Sequence, residues 1–171
     1  MKSHILITAA IFLFLSGCRE REQRVNLTAS FSAKEENAES AIKKIIENET
    51  LAYVNRDSTQ LLSYYVADDV TQSAWNSHNG TYGLYKGFDE ISKNFRKQFK
   101  EHPERLHLPD VTRNDWYFRQ LSKEWMWVNF IQKVTGTDGK LYTSYETRLM
   151  KKDGGRWKIA VMYALSDHAV K

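Results

Sequence analysis

Between residues 38 and 55, Ala38, Ile42, Ile45, Ile46, Glu49 and Tyr53 recur at helical spacing, and only the glutamate is out of character. Lys43, Lys44, Glu47 and Asn48 fall on the opposite side. The pattern predicts an amphipathic helix of four to five turns. Asp57 with Gln60 three residues on reads as a capping box for a short second helix over 58–65, carrying Leu61, Leu62 and Tyr65. Ala67-Asp68-Asp69 breaks it, 70–75 reads as extended, 76–80 as a turn and 81–86 as a short aromatic strand. Phe88, Ile91, Phe95 and Phe99 then mark a third helix over 88–101, with Pro103 just past its end.

Beyond that point the period drops from helical to alternating. Residues 115–121, 124–134, 140–151 and 156–166 are strand-like, and Asp138-Gly139 and Asp153-Gly154 supply hairpin signals between them. Helices followed by a long antiparallel meander predict an α+β domain, with helices packed on one face of the sheet. If both Asp-Gly pairs are two-residue turns, one face collects Trp125, Trp127, Asn129, Ile131, Glu146, Arg148, Met150, Trp157, Ile159, Val161 and Tyr163. The opposite face collects Met126, Val128, Phe130, Gln132, Tyr145, Thr147, Leu149, Ala160 and Met162. Both are apolar enough to be covered, one by helices and the other by a partner subunit.

The start of the chain has a different pattern. Lys2 is followed by an uncharged apolar run from Ile5 to Leu15 and then Leu15-Ser16-Gly17-Cys18. The run suits the h-region of a secretory signal and is too short to span a bilayer as a helix. The last four residues resemble a bacterial lipobox, which implies a signal peptide over 1–17 and diacylation of Cys18. An ordinary signal peptide with a chance cysteine, or a signal anchor, is the alternative. Two or three acyl chains anchor stably where a single chain is marginal. Arg19 after the cysteine favours the outer over the inner membrane. The expected address is the bacterial cell envelope, lipid-anchored, facing either periplasm or medium. Residues 18–37 read as a lipidated N-terminus and polar tether, and 38–171 as the folded domain.

Of the 171 residues 42% are hydrophobic and 13% aromatic, too many for a disordered chain. The net charge is +4, without the clustered basic stripe of a nucleic-acid binder. Cys18 is the only cysteine, so a disulfide framework and a thiolate metal site are excluded.

Four segments occur in order: Asn55-Arg56-Asp57, Ala67-Asp68-Asp69-Val70, Lys86-Gly87-Phe88-Asp89-Glu90-Ile91 and Gly155-Arg156-Trp157-Lys158-Ile159. Together they resemble the nuclear-transport-factor-2-like (NTF2-like) superfamily, in its SnoaL-like and ketosteroid-isomerase-like branches, over about residues 38–166. The resemblance implies a cone-shaped, cystatin-like fold in which a curved sheet wraps a long helix and leaves a pocket. It also implies homodimers through the sheet face. In the isomerases a carboxylate a few residues after the Ala-Asp-Asp turn is the base, and a first-helix tyrosine and a later acid stabilise the enolate. Counting along that spacing reaches Ala74, which has no carboxylate, and the tyrosine position falls near Glu49. Asp68 and Asp69 read more simply as turn residues.

Candidate chemistry is therefore sparse. Glu146 and Arg148 stand among tryptophans, either as polar groups of a ligand site or as partners of one another. Glu146 and His78 are the candidate acid–base groups, although His78 reads more plainly as an exposed turn residue beside Asn79-Gly80. Tyr53, Trp75, Tyr82, Trp127, Asn129, Arg148 and Tyr163 are the candidate ligand contacts. His102, His107 and Asp110 surround Pro103 in a loop and make a poor metal site, so no metal or cofactor is expected. Two functions fit: non-catalytic binding of a small apolar ligand or an assembly role, and a cyclase, isomerase or hydratase acting on a hydrophobic carbonyl compound.

Overall fold

The computed structural model describes residues 21–76, 81–106, 110–136 and 138–167, with 21–37 described as backbone alone. The chain divides into two units, Met1–Glu36 and Asn37–Lys171. Helix α1 runs Arg21–Val54, so the segment expected to be a tether is helical from its fourth residue onward. That stretch is rich in Arg and Glu and contains no Pro or Gly to end a helix. Among the described residues no helix is long and apolar enough to cross a membrane.

Within Asn37–Lys171, α1 stops where its sequence provides a stop. The Arg56 N–H bonds Tyr53 O (3.1 Å) and the Asp57 N–H bonds Ala52 O (3.0 Å), with Arg56 at φ 60°. This is a Schellman closure with arginine in the left-handed position usually given to glycine. The Arg56 guanidinium lies 5.2 Å from the Tyr53 ring and 5.1 Å from the Phe99 ring, which holds the residue there. Asp57 then caps helix α2 (Ser58–Ser63), accepting the Gln60 N–H at 2.8 Å as the capping-box spacing requires. Strands β1 (Gln72–Asn76) and β2 (Tyr82–Lys86) lead to helix α3 (Phe88–Glu101). Four longer strands follow: β3 (Val111–Gln120), β4 (Trp125–Thr135), β5 (Leu141–Asp153) and β6 (Arg156–Ser166).

The six strands form one sheet in the order β2-β1-β6-β5-β4-β3. It is mixed rather than wholly antiparallel, because β1 pairs parallel to β6. Helix α3 and the meander lie between those two strands in sequence, long enough for a parallel crossover. The core joins Ile42, Ile46 and Ala52 of α1, Leu61 and Leu62 of α2, and Ile91, Phe95 and Phe99 of α3. These pack with Met126, Val128, Phe130, Met150, Trp157 and Ile159 from the sheet.

The register corrects the expected faces. Thr135 pairs with Leu141, so the β4–β5 connection is a five-residue loop rather than a two-residue turn at Asp138-Gly139. This shifts the pairing by one residue and exchanges the faces of β4 relative to β5. Glu146 stands opposite Phe130 and Arg148 opposite Val128, on the core face. Trp127 and Asn129 pair with Leu149 and Thr147 on the other face. The β5–β6 turn is Gly154-Gly155, both at positive φ (56° and 80°), as a primed hairpin turn needs. A bulge opposite Leu149/Met150 then buries Ala160 and exchanges the faces of β6 beyond it. Met162 and Ala164 consequently join Arg148 and Glu146, and Tyr163 joins Thr147 outside.

Candidate functional site

The core does not close completely. A cavity of about 580 Å³ lies among α1, α3 and the inner face of the sheet. Tyr53, Trp75, Tyr85, Phe95 and Met162 form its apolar lining, and Lys97, Glu101 and His102 mark its mouth. Ser73, Asn94, Gln98, Gln132, Glu49, Glu146 and Arg148 supply its polar groups.

Three charged side chains lie well inside it. Residues i and i+2 of a strand share a face, so Glu146 and Arg148 both point inward from β5. Arg148 Nη1 donates to Glu146 Oε2 at 2.9 Å, and both side chains are almost wholly buried. Ser144 Oγ donates to the other oxygen, Oε1, at 2.6 Å. Both oxygens of Glu146 are thus engaged. Arg148 Nη1 also donates to Thr147 O (3.0 Å), and its guanidinium lies 5.6 Å from the Phe130 ring. Its Nε is buried with no acceptor among the described residues. Burial works against the charge of Arg148, but Glu146 and Glu49 outweigh it and hold the group above the usual arginine value.

Glu49, the polar interruption in the α1 stripe, is the third. Tyr65 OH donates to its Oε1 at 2.8 Å. Tyr65 is pinned by backbone bonds to either side, Val66 N–H to Ile159 O (3.0 Å) and Ile159 N–H to Tyr64 O (2.8 Å). These extend the sheet at β6 and fix where the phenol points. Burial, then the charge of Glu49 and the bond to it, push the Tyr65 hydroxyl well above the ordinary tyrosine value. The second oxygen of Glu49 has no donor among the described residues. Arg113 donates through Nη2 to Thr50 Oγ1 (2.6 Å) beside the cavity, and burial lowers its pKa. Its Nε, too, is buried without an acceptor among the described residues.

Of the residues singled out in the sequence, Tyr53, Trp75, Glu146 and Arg148 line the cavity. Tyr82, Trp127, Asn129 and Tyr163 do not. Tyr82 is 81% exposed on β2, while Trp127, Asn129 and Tyr163 lie on the outer face. There the Trp127 indole donates to Asn129, Asn129 Nδ2 to Thr147 Oγ1 (2.7 Å), and Tyr163 OH to Gln72 Oε1 (2.7 Å). His78, His107 and Cys18 lie outside the described residues. Among the described residues no three His, Cys, Asp or Glu side chains gather as a metal-ligand set. Asp68 accepts the Val70 N–H (3.1 Å) and pairs with Lys151 (3.0 Å), the turn role expected of it. Ala74 faces away from the cavity with Leu84 and Tyr163, and its inward neighbours are Ser73 and Trp75.

Tyr65, Ser73, Ser144 and Arg113 belong to the site and were not singled out from sequence. Only Glu49 left a signal, as a lone carboxylate in an apolar stripe.

The order of helices and strands, with a cavity between helix and sheet, has clear counterparts among solved structures. A protein of unknown function from Shewanella oneidensis, described as NTF2-like, superposes with a TM-score of 0.58 at 16% identity. The match covers 75% of this chain and 98% of that one. The fold is NTF2-like. A cystatin-like-fold protein of unknown function from Nostoc punctiforme matches over 77% of this chain and 92% of that one (TM-score 0.57, 11% identity). An NTF2-like protein of unknown function from Pseudomonas putida covers 77% and 87% (TM-score 0.54, 14% identity). No family model matches the chain, and no curated protein matches it in sequence. At these identities the likeness is one of NTF2-like fold, and function has to be argued from the cavity.

Proposed function

We propose that the domain is a non-catalytic receptor for a small, largely apolar molecule, carried on a lipid-anchored envelope protein. The observation that carries the reading is the cavity itself: about 580 Å³, with Tyr53, Trp75, Tyr85, Phe95 and Met162 in its wall and Glu49, Ser73, Glu146 and Arg148 as its buried polar groups. Ligand sites have this composition and size. Proton abstraction by the isomerase route needs a carboxylate free to take a proton. Glu146 is held at both oxygens by Ser144 and Arg148, and the position reached by the isomerase spacing, Ala74, faces outward. The anchoring part rests on Cys18 and its lipobox, and assembly through the outer sheet face rests on the apolar residues there.

The test is a thermal-shift screen of the full chain against hydrophobic carbonyl compounds and lipids. Stabilisation by at least one apolar class, lost in Trp75→Glu, is the expected result. No shift with any class would remove the receptor reading. A second reading, proton abstraction beside a carbonyl, is favoured only by the unengaged oxygen of Glu49. Deuterium exchange at the α-carbon of a bound ketone, abolished by Glu49→Gln, would support it over the first.

A further inference from the structure

The polar end of the cavity restricts what its ligand can carry. Glu49 and Glu146 bring two negative charges, and Arg148 and the adjacent Arg113 bring two positive ones. Glu49 acts electrostatically on both guanidinium groups, so the four form one balanced cluster. At the mouth, Lys97 and Glu101 pair with each other at 3.9 Å. A charged ligand would bury a charge that nothing in the cavity compensates, which is strongly unfavourable.

The cluster is balanced in charge but not in hydrogen bonds. One oxygen of Glu49 has no donor among the described residues, and the Arg148 guanidinium, whose Nε is sealed off, meets the cavity with an Nη2 that has no acceptor among them. A molecule that displaces water from the cavity either satisfies both groups or leaves both unpaired, and unpaired buried groups are costly. We propose that the ligand is an uncharged molecule with an apolar body and a head combining one hydrogen-bond donor and one acceptor, as in a carboxamide. The donor meets Glu49 and the carbonyl oxygen meets Arg148, while the body lies against Tyr53, Trp75, Tyr85 and Phe95. This rests on the receptor reading above and narrows it to a ligand class.

Calorimetric titration of the full chain with four probes of one shape tests it: 2-naphthamide, 2-acetylnaphthalene, 2-naphthoate and 2-naphthylmethylamine. The amide should bind about tenfold more tightly than each of the others, the ratio expected for one satisfied charge-assisted hydrogen bond. In Glu49→Met the amide should lose its advantage over the ketone, while the ketone keeps its affinity. If the ketone or either charged probe binds as tightly as the amide, the head-group inference fails and the receptor reading stands. If none of the four binds, both fail. Should Glu49→Met not fold, the four-probe comparison on the unaltered chain decides alone.

Discussion

At the scale of single residues, the site depends on charges that are buried and partnered. Removing one member of a buried pair strands the other, at about 3–5 kcal/mol. Arg148→Met should therefore destabilise the domain by that amount in denaturant unfolding, because Glu146 loses its cation. Replacing both, as Glu146→Leu with Arg148→Met, should cost clearly less, since no unpaired charge remains. Tyr65→Phe removes the donor to Glu49 and should cost about 1.5–3 kcal/mol, the usual worth of a bond to a charged group. Tyr65 also sets an alkaline limit. Its folded pKa lies above that of the unfolded chain, about 10, so its contribution is complete below that pH. Above it the unfolded phenol ionises first and the contribution is lost as pH rises towards the folded value. Stability measured from pH 8 upward should fall beyond about pH 10, and Tyr65→Phe should flatten that fall.

At the scale of elements, what could be read from the sequence divides at the turns. The span of α3, Phe88–Glu101, and the Asp57–Gln60 cap of α2 follow from periodicity and local chemistry, and the structure has both. The strands were equally visible, but their pairing was not. A five-residue loop looks like a two-residue turn when Asp-Gly lies inside it, and one residue of slip reverses a face. The bulge at Ala160 leaves no mark in composition, yet it carries Tyr163 out of the cavity and Met162 in. Tyr65 could not be foreseen as a site residue, because its bridge to Ile159 joins segments far apart in sequence. Elements also shape the cavity wall. A Cβ on Gly83 would lie 2.7 Å from the Trp75 ring, too close for the indole to stay where it lines the cavity. Gly83→Ala should therefore weaken binding of an apolar ligand and shift the Trp75 fluorescence, leaving the far-UV circular dichroism unchanged. By contrast, Gly154→Val places a β-branched residue at φ 56° in the β5–β6 turn. It should lower stability by at least about 1 kcal/mol and leave affinity intact, because the turn does not line the cavity.

At the scale of the whole molecule, the account joins an anchor to a receptor. Cys18→Ser should release the protein from membranes into the soluble fraction, and continued membrane association would end the lipoprotein proposal. The two faces of the sheet differ: the inner one brings Glu146, Arg148 and Met162 to the cavity, and the outer one carries Trp127, Asn129 and Tyr163. Trp75 belongs to the cavity and Trp127 to the opposite face, which makes the five tryptophans reporters of where a ligand sits. The direct test is the indole region of the ¹H–¹⁵N spectrum of the full chain titrated with 2-naphthamide. The account predicts that the Trp75 indole resonance moves with saturation while that of Trp127 stays in place. Movement of Trp127 without Trp75, or no movement of either at saturating ligand, would contradict it.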